Sequence, residues 1–74
     1  MVRLYGENLD ILHDLVDTIK TSSDKDAQAE FELLMDNYDV TPMEVENGVF
    51  EMVYNFEDLC GFIEQTQSIV DSIN

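Results

Sequence analysis

Apolar residues in the first third of the chain recur every three or four positions. Leu9, Leu12, Leu15, Val16 and Ile19 share one face of a helix running from Glu7 to about Thr21, and Glu7, Asp10, Asp14 and Asp17 fall on the opposite face. Thr21-Ser22-Ser23 breaks the pattern, and Ser23 ahead of Asp24-Lys25-Asp26 reads as an N-cap with an acidic first turn. A second helix follows to about Tyr38. Ala27, Phe31, Leu34, Met35 and Tyr38 line its apolar side, Asp26, Glu30, Glu32 and Asp36 cover much of the rest, and Leu33 lies near the middle of the outward face.

From Met43 to Tyr54 the period shortens to two. Apolar and other residues alternate on both sides of Asn47-Gly48, a dipeptide suited to the positive φ values of a two-residue turn, so the stretch predicts a β-hairpin. That turn pairs Glu46 with Val49, Val45 with Phe50, Glu44 with Glu51 and Met43 with Met52. Met43, Val45, Phe50, Met52 and Tyr54 then form a core face, while Glu44, Glu46 and Glu51 crowd the other, with Val49 and Val53 beside them. Like charges facing across a strand pair destabilise it; at ~5 Å the repulsion is roughly 1 kcal/mol in a water-like medium. Changing all three glutamates to Gln is therefore expected to stabilise the free protein.

Asn55-Phe56-Glu57-Asp58 reads as the N-cap and acidic first turn of a last helix reaching about Ser72, with Tyr54 stapled onto Leu59. Phe56, Leu59, Cys60, Ile63, Thr66, Val70 and Ile73 make its predicted buried stripe, with Phe62 and Ile69 at the edges. Gly61 costs that helix about 1 kcal/mol relative to Ala, which implies a closely packed neighbour. Val2-Arg3-Leu4-Tyr5, closed by Gly6, offers a further short strand beside the hairpin. The expected fold is α+β: one acidic domain, residues 1–74, in the order α-α-β-β-α. Because an isolated hairpin is marginal in water, its apolar face must pack on the three helices.

Size adds one expectation. A domain this small buries only about 60% of its unfolded surface, so a homodimer is expected, with Leu33, Val49 and Val53 as semi-exposed contacts. The single Cys60 excludes an internal disulfide and suits a reducing compartment. The start of the chain has no basic segment ahead of an apolar run, so a soluble, cytoplasmic protein is expected.

Charge is the most informative property. Seventeen acidic residues against three basic ones give a net charge of −14, beyond the ~2 to 8 units that solubility asks of a small domain. Arg3, Lys20 and Lys25 are the basic side chains, so none follows Lys25. Such a molecule repels DNA and anionic membrane and is drawn to strongly positive surfaces.

Candidate chemistry is sparse. His13 has no second His or Cys at ligand spacing and reads as structural or surface. Carboxylate pairs that act as acid and base need a cleft and divergent pKa values, which a chain with its acids on outer faces offers poorly. A calcium loop starting at Asp36 fails, because Tyr38, Val40 and Thr41 stand where ligands and a glycine are needed. An acyl-carrier reading fails because the Asp-Ser pair, Asp71-Ser72, lies at the C-terminal end. Cys60 sits on an apolar stripe as a small hydrophobe. No catalytic residue, cofactor or metal is expected.

What remains is the acidic surface. The sharpest reading is a DNA mimic whose carboxylates, here Glu7, Asp10, Asp14, Asp17, Glu44, Glu46 and Glu51, compete with phosphate for Lys and Arg. The first helix alone strings its four acids over about 15 Å, sparser than duplex DNA with one charge per roughly 1.7 Å. Other faces must complete the imitation. A protein-binding module for a basic partner, a generic acidic domain and salt adaptation are the alternatives.

In its acidity, length and expected element order the chain resembles the small acidic host-takeover proteins of bacteriophages, most narrowly the sliding-clamp inhibitors of Twort-type staphylococcal phages. The resemblance implies a dimer in the host cytoplasm that fills the positively charged channel of the bacterial DNA polymerase sliding clamp, excluding DNA and stopping replication. Ordinary clamp partners use a Gln-and-hydrophobic peptide; Gln28-Ala29-Glu30-Phe31 is the nearest fragment, and it falls inside a helix. Restriction, CRISPR and repair enzymes are other targets of DNA mimics.

Overall fold

Among the described residues, 1–73, this computed structural model contains β1 (Val2–Arg3), α1 (Glu7–Thr21), α2 (Lys25–Tyr38), α3 (Pro42–Asn47), β2 (Val49–Phe50) and α4 (Phe56–Asp71). The α+β class stands, with four helices and a single antiparallel strand pair. The three long helices occupy the segments their periodicity predicts. One cap differs: Asp24, not Ser23, closes the start of α2, its carboxylate accepting the N–H of Asp26 (3.0 Å) and Ala27 (3.1 Å). Asn55 caps α4 as expected, accepting the Asp58 N–H at 2.8 Å.

The hairpin does not form. Residues 42–47, expected as its first strand, are the short helix α3. Thr41 and Glu44 make a reciprocal capping box: the Thr41 hydroxyl accepts the Glu44 N–H at 3.3 Å, and the Glu44 carboxylate accepts the Thr41 N–H at 2.9 Å. Pro42 at the first helical position lacks a donor where none is needed. Gly48, at φ 76° and ψ 20°, closes α3 by donating its N–H to the Glu44 carbonyl at 2.7 Å. Asn47-Gly48 is thus the end of a helix and not the tip of a hairpin, and one residue, Gly48, supplies the left-handed geometry.

The chain leaving Gly48 therefore pairs with the N-terminus instead of folding back on residues 43–46. Val2 lies opposite Phe50 and Arg3 opposite Val49, and the Leu4 N–H bonds to the Gly48 carbonyl at 2.7 Å. The expected pairs Glu46–Val49, Val45–Phe50, Glu44–Glu51 and Met43–Met52 are absent. Val45 and Phe50 are buried as expected, but Met43 and Tyr54 are 69% and 73% exposed, and Met52 is half exposed. Val53, expected at a semi-exposed dimer contact, is 3% exposed and joins the core. Tyr54, expected to staple onto Leu59, thus lies largely in solvent.

α4 packs against both α1 and α2, which widens its buried arc and moves the centre. Leu59, Phe62, Thr66 and Ile69 are its buried residues, while Phe56 is 53% exposed. Phe62, predicted at the stripe's edge, is the centre of a ring cluster, with centroids 6.1 Å from Phe31, 5.4 Å from Tyr38 and 6.4 Å from Phe50. The buried Thr66 hydroxyl is satisfied by donating to the Phe62 carbonyl at 2.8 Å. Gly61 has the close neighbour its position implied: a Cβ there would lie 3.1 Å from the Tyr38 hydroxyl.

Candidate functional site

All but two of the seventeen carboxylate side chains are exposed; Asp24 and Glu44 are the partly buried ones. Both cap helices, so the acids divide into two that hold the fold and a majority free to face a partner. Glu7, Asp10, Asp14 and Asp17 stand on the outer side of α1, opposite the buried Leu12, Leu15, Val16 and Ile19. Glu7 and Asp10 lie in the first turn, where the helix dipole favours them. Asp26, Glu30, Glu32 and Asp36 are exposed on α2, and Glu57, Asp58, Glu64 and Asp71 on α4.

The predicted glutamate face is taken apart. Glu46 is exposed on α3 and Glu51 is exposed just past β2. The side chain of Glu44 bridges two segments at the surface, accepting the Thr41 N–H through Oε1 and the Glu51 N–H at 2.7 Å through Oε2. Burial pushes the Glu44 carboxyl up, but hydrogen bonds from the Glu51 N–H, the Thr41 N–H and the Thr41 side chain outweigh it and hold the pKa below its ordinary value. Glu44 is thus a structural carboxylate. The sequence signal for this was the Thr41-Pro42-Met43-Glu44 capping box itself.

His13, read as structural or surface, makes a structural contact. Its Nε2 lies 2.9 Å from the Val45 carbonyl, one of the last-turn carbonyls of α3 that the helix cannot satisfy itself, and so joins α1 to α3.

The molecule measures 32 × 24 × 20 Å along its principal axes. A net charge of −14 spread along the 32 Å axis is one charge per roughly 2.3 Å, against roughly 1.7 Å for duplex DNA. The outer face of α1 alone is sparser still, and the acids of the other elements bring the whole molecule to that figure, which approaches the duplex without reaching it. Of the expected self-association residues, Leu33 is 63% exposed. It edges a shallow groove between α2 and α4 that includes Leu34, Gln65 and Ile69. Val49 is half-buried in β2.

Among the described residues, no helix is long and apolar enough to cross a membrane. Among the described residues, no group of three His, Cys, Asp or Glu side chains is placed to hold a metal ion. No family model matches the chain, and no curated protein or solved structure matches it significantly.

Proposed function

We propose that this protein is an acidic DNA mimic that occupies the positively charged DNA-binding surface of a host protein, the channel of a bacterial sliding clamp being the leading target. One observation carries the reading: an 8.5 kDa domain reaches a linear charge density close to that of the duplex, with nearly all its carboxylates exposed. A folded helical scaffold favours mimicry further, because charges carried on helices need less ordering when they meet Lys and Arg than charges on an unfolded tail. The chain acts without catalysis or cofactor, in the host cytoplasm.

In this reading the protein works as a homodimer. A second copy doubles the array of charge, and exposed Leu33 with its α2–α4 groove provides a contact that does not disturb α1. Two copies at −14 repel each other, so self-association strengthens with salt. Sedimentation equilibrium at low and high ionic strength tests this, and a monomer under both conditions ends the dimer reading.

The function is tested with purified bacterial sliding clamp and its loader. The expected results are a complex that excludes primed DNA from the clamp and an affinity that falls by roughly 10³ or more between about 50 and 200 mM salt if six or more ion pairs form. A clamp that carries DNA and this protein at once, or a complex indifferent to salt, excludes mimicry at that target. A pull-down from bacterial lysate with salt elution then identifies whether a restriction, CRISPR or repair enzyme is bound instead.

A further inference from the structure

Val16 and Ile19 of α1, Phe31 and Met35 of α2, and Pro42 and Val45 of α3 floor a groove of about 300 Å³ where the three helices meet. Past Val16, Pro42 and Val45 it opens into a second depression edged by Asp14, Asp17, Met43 and Glu46. Glu32 stands on the rim of the first part, and Lys20 is the one cation bordering both. A narrow apolar floor of largely buried side chains, rimmed by four carboxylates and Lys20, is poorly suited to nucleic acid or to a small anion. It is complementary to apolar side chains flanked by Lys or Arg.

The shape also selects. Val16, Ile19 and Lys20 on one side and Gln28, Phe31, Glu32 and Met35 on the other recur at three- and four-residue intervals, the ridge spacing into which another helix interdigitates. Met43, which the alternating pattern placed in a core, is instead exposed at the lip. A flexible thioether there can adapt to whatever side chain enters.

We propose that the groove between α1, α2 and α3 receives a basic amphipathic helix of a partner protein, its apolar stripe on the floor and its cations against Asp14, Asp17, Glu32 and Glu46. This mode of docking buries apolar anchors at i, i+3, i+4 and i+7 while the charges set orientation. Asp14, Asp17 and Glu46 belong to the mimicking surface as well, so the two readings share residues; a peptide titration, which uses no DNA-binding target, tests the groove separately.

The probe is a synthetic Leu/Lys peptide with leucines at helical spacing, compared with a peptide of the same composition whose leucines are scattered. In an NMR titration of the whole chain, the patterned peptide is expected to bind roughly tenfold more tightly and to shift the methyl signals of Val16, Ile19 and Val45. The exposed-site variants Asp17→Asn with Glu46→Gln, and separately Met43→Ser, weaken that binding severalfold while the spectrum of the free protein stays dispersed. Glu57→Gln with Glu64→Gln removes the same charge from α4 and leaves binding unchanged. Equal affinity for both peptides, equal loss in the α4 variant, or perturbation away from the groove overturns the proposal. So does the same methyl pattern appearing when the protein is concentrated alone, which assigns the groove to a second copy of this chain.

Discussion

The Glu44 carboxylate accepts the backbone N–H of Glu51 at 2.7 Å. Two residues whose side chains were expected to repel across a hairpin are joined by a charge-assisted hydrogen bond that ties the start of α3 to the chain leaving β2. The consequence for mutation reverses sign. Glu44→Gln destabilises the fold by about 1 kcal/mol, the usual size of a lost capping interaction. Glu46→Gln and Glu51→Gln, at exposed positions, are near neutral or slightly stabilising. Urea denaturation of the three single variants separates them.

The effect of pH follows from the same carboxylate. Its folded pKa lies below the ordinary value of 4.5, so the stability it contributes is fully present above that value and is lost as pH falls through the lowered folded pKa. The stability gap between the parent and Glu44→Gln is therefore constant near neutrality and closes only below pH 4.5. Melts of both proteins across that range check it, and a gap that persists in strong acid contradicts it.

The long helices were legible because each carries four or more apolar positions at helical spacing and most of a stripe must be buried. The segment from Met43 to Tyr54 was not, for a physical reason. Six residues span less than two turns, too few for a period of 3.6 to be told from one of 2. A helix that short is not stable by itself; α3 is held by its capping box, Pro42, Gly48, the burial of Val45 and the bond from His13. Thr41-Pro42-Met43-Glu44 and a closing glycine announce both ends of that helix, and Asn47-Gly48 announces a hairpin equally well. The antiparallel pair of β1 and β2 decides between them, and it joins residues too far apart in the chain for local signals to reveal. For the site, exposure of the α1 acids was readable from helical phase, whereas the bond from Glu51 to Glu44 depended on knowing where residue 51 goes.

Gly48 discriminates between the two readings. A hairpin turn in solvent tolerates Asn in its left-handed positions, but a Cβ at Gly48 would collide with the Leu4 carbonyl oxygen and lie 3.1 Å from both Leu9 methyl groups. Gly48→Ala is expected to cost more than about 2 kcal/mol, combining the left-handed penalty with the clash. Gly48→Asn brings little relief, since its Cβ meets the same atoms. Thermal melts followed by circular dichroism measure both, and a stable Gly48→Asn variant counts against the close approach of Leu4.

Removing the His13 ring leaves the Val45 carbonyl without that partner. His13→Ala is expected to destabilise by about 1 kcal/mol, the typical net worth of a hydrogen bond. The loss should concentrate in α3, so amide hydrogen exchange at Val45 and Gly48 accelerates more than exchange in α4. Uniform acceleration throughout the molecule would assign the effect to packing of α1.

Gly61 and Tyr38 are coupled. The Tyr38 hydroxyl accepts a 2.9 Å bond from Gln65, and its ring packs edge-on against Phe62, so it has little freedom to retreat from a new methyl group. Gly61→Ala alone should forfeit much of the ~1 kcal/mol that Ala gains in a helix. In a Tyr38→Phe background, which lacks the obstructing oxygen, the same change recovers that gain. A double-mutant cycle reads the difference directly.

The last prediction separates acidity that serves binding from acidity that is incidental, using two exposed sites that cap nothing. Asp14 lies between Asp10 and Asp17 on one face of α1, and Asp36 follows Glu32 by one turn in the last turn of α2, where no basic residue offsets the helix dipole. Each is repelled by like-charged neighbours at i±3 or i±4, and Asp36 also by the negative end of its own helix. Asp14→Asn with Asp36→Asn should thus stabilise the free protein, by roughly 1 kcal/mol in total at low salt, with the gain shrinking as salt screens the repulsion. On a DNA-binding target the same pair should weaken binding and lower the salt slope by up to about two counterions, because each lost carboxylate removes one partner for a Lys or Arg that otherwise holds phosphate. Stability and affinity then move in opposite directions, which is how a surface maintained for its charge at the expense of its own fold behaves. A variant that gains stability and binds the target with unchanged affinity and salt slope would place the recognition surface away from these two helix faces.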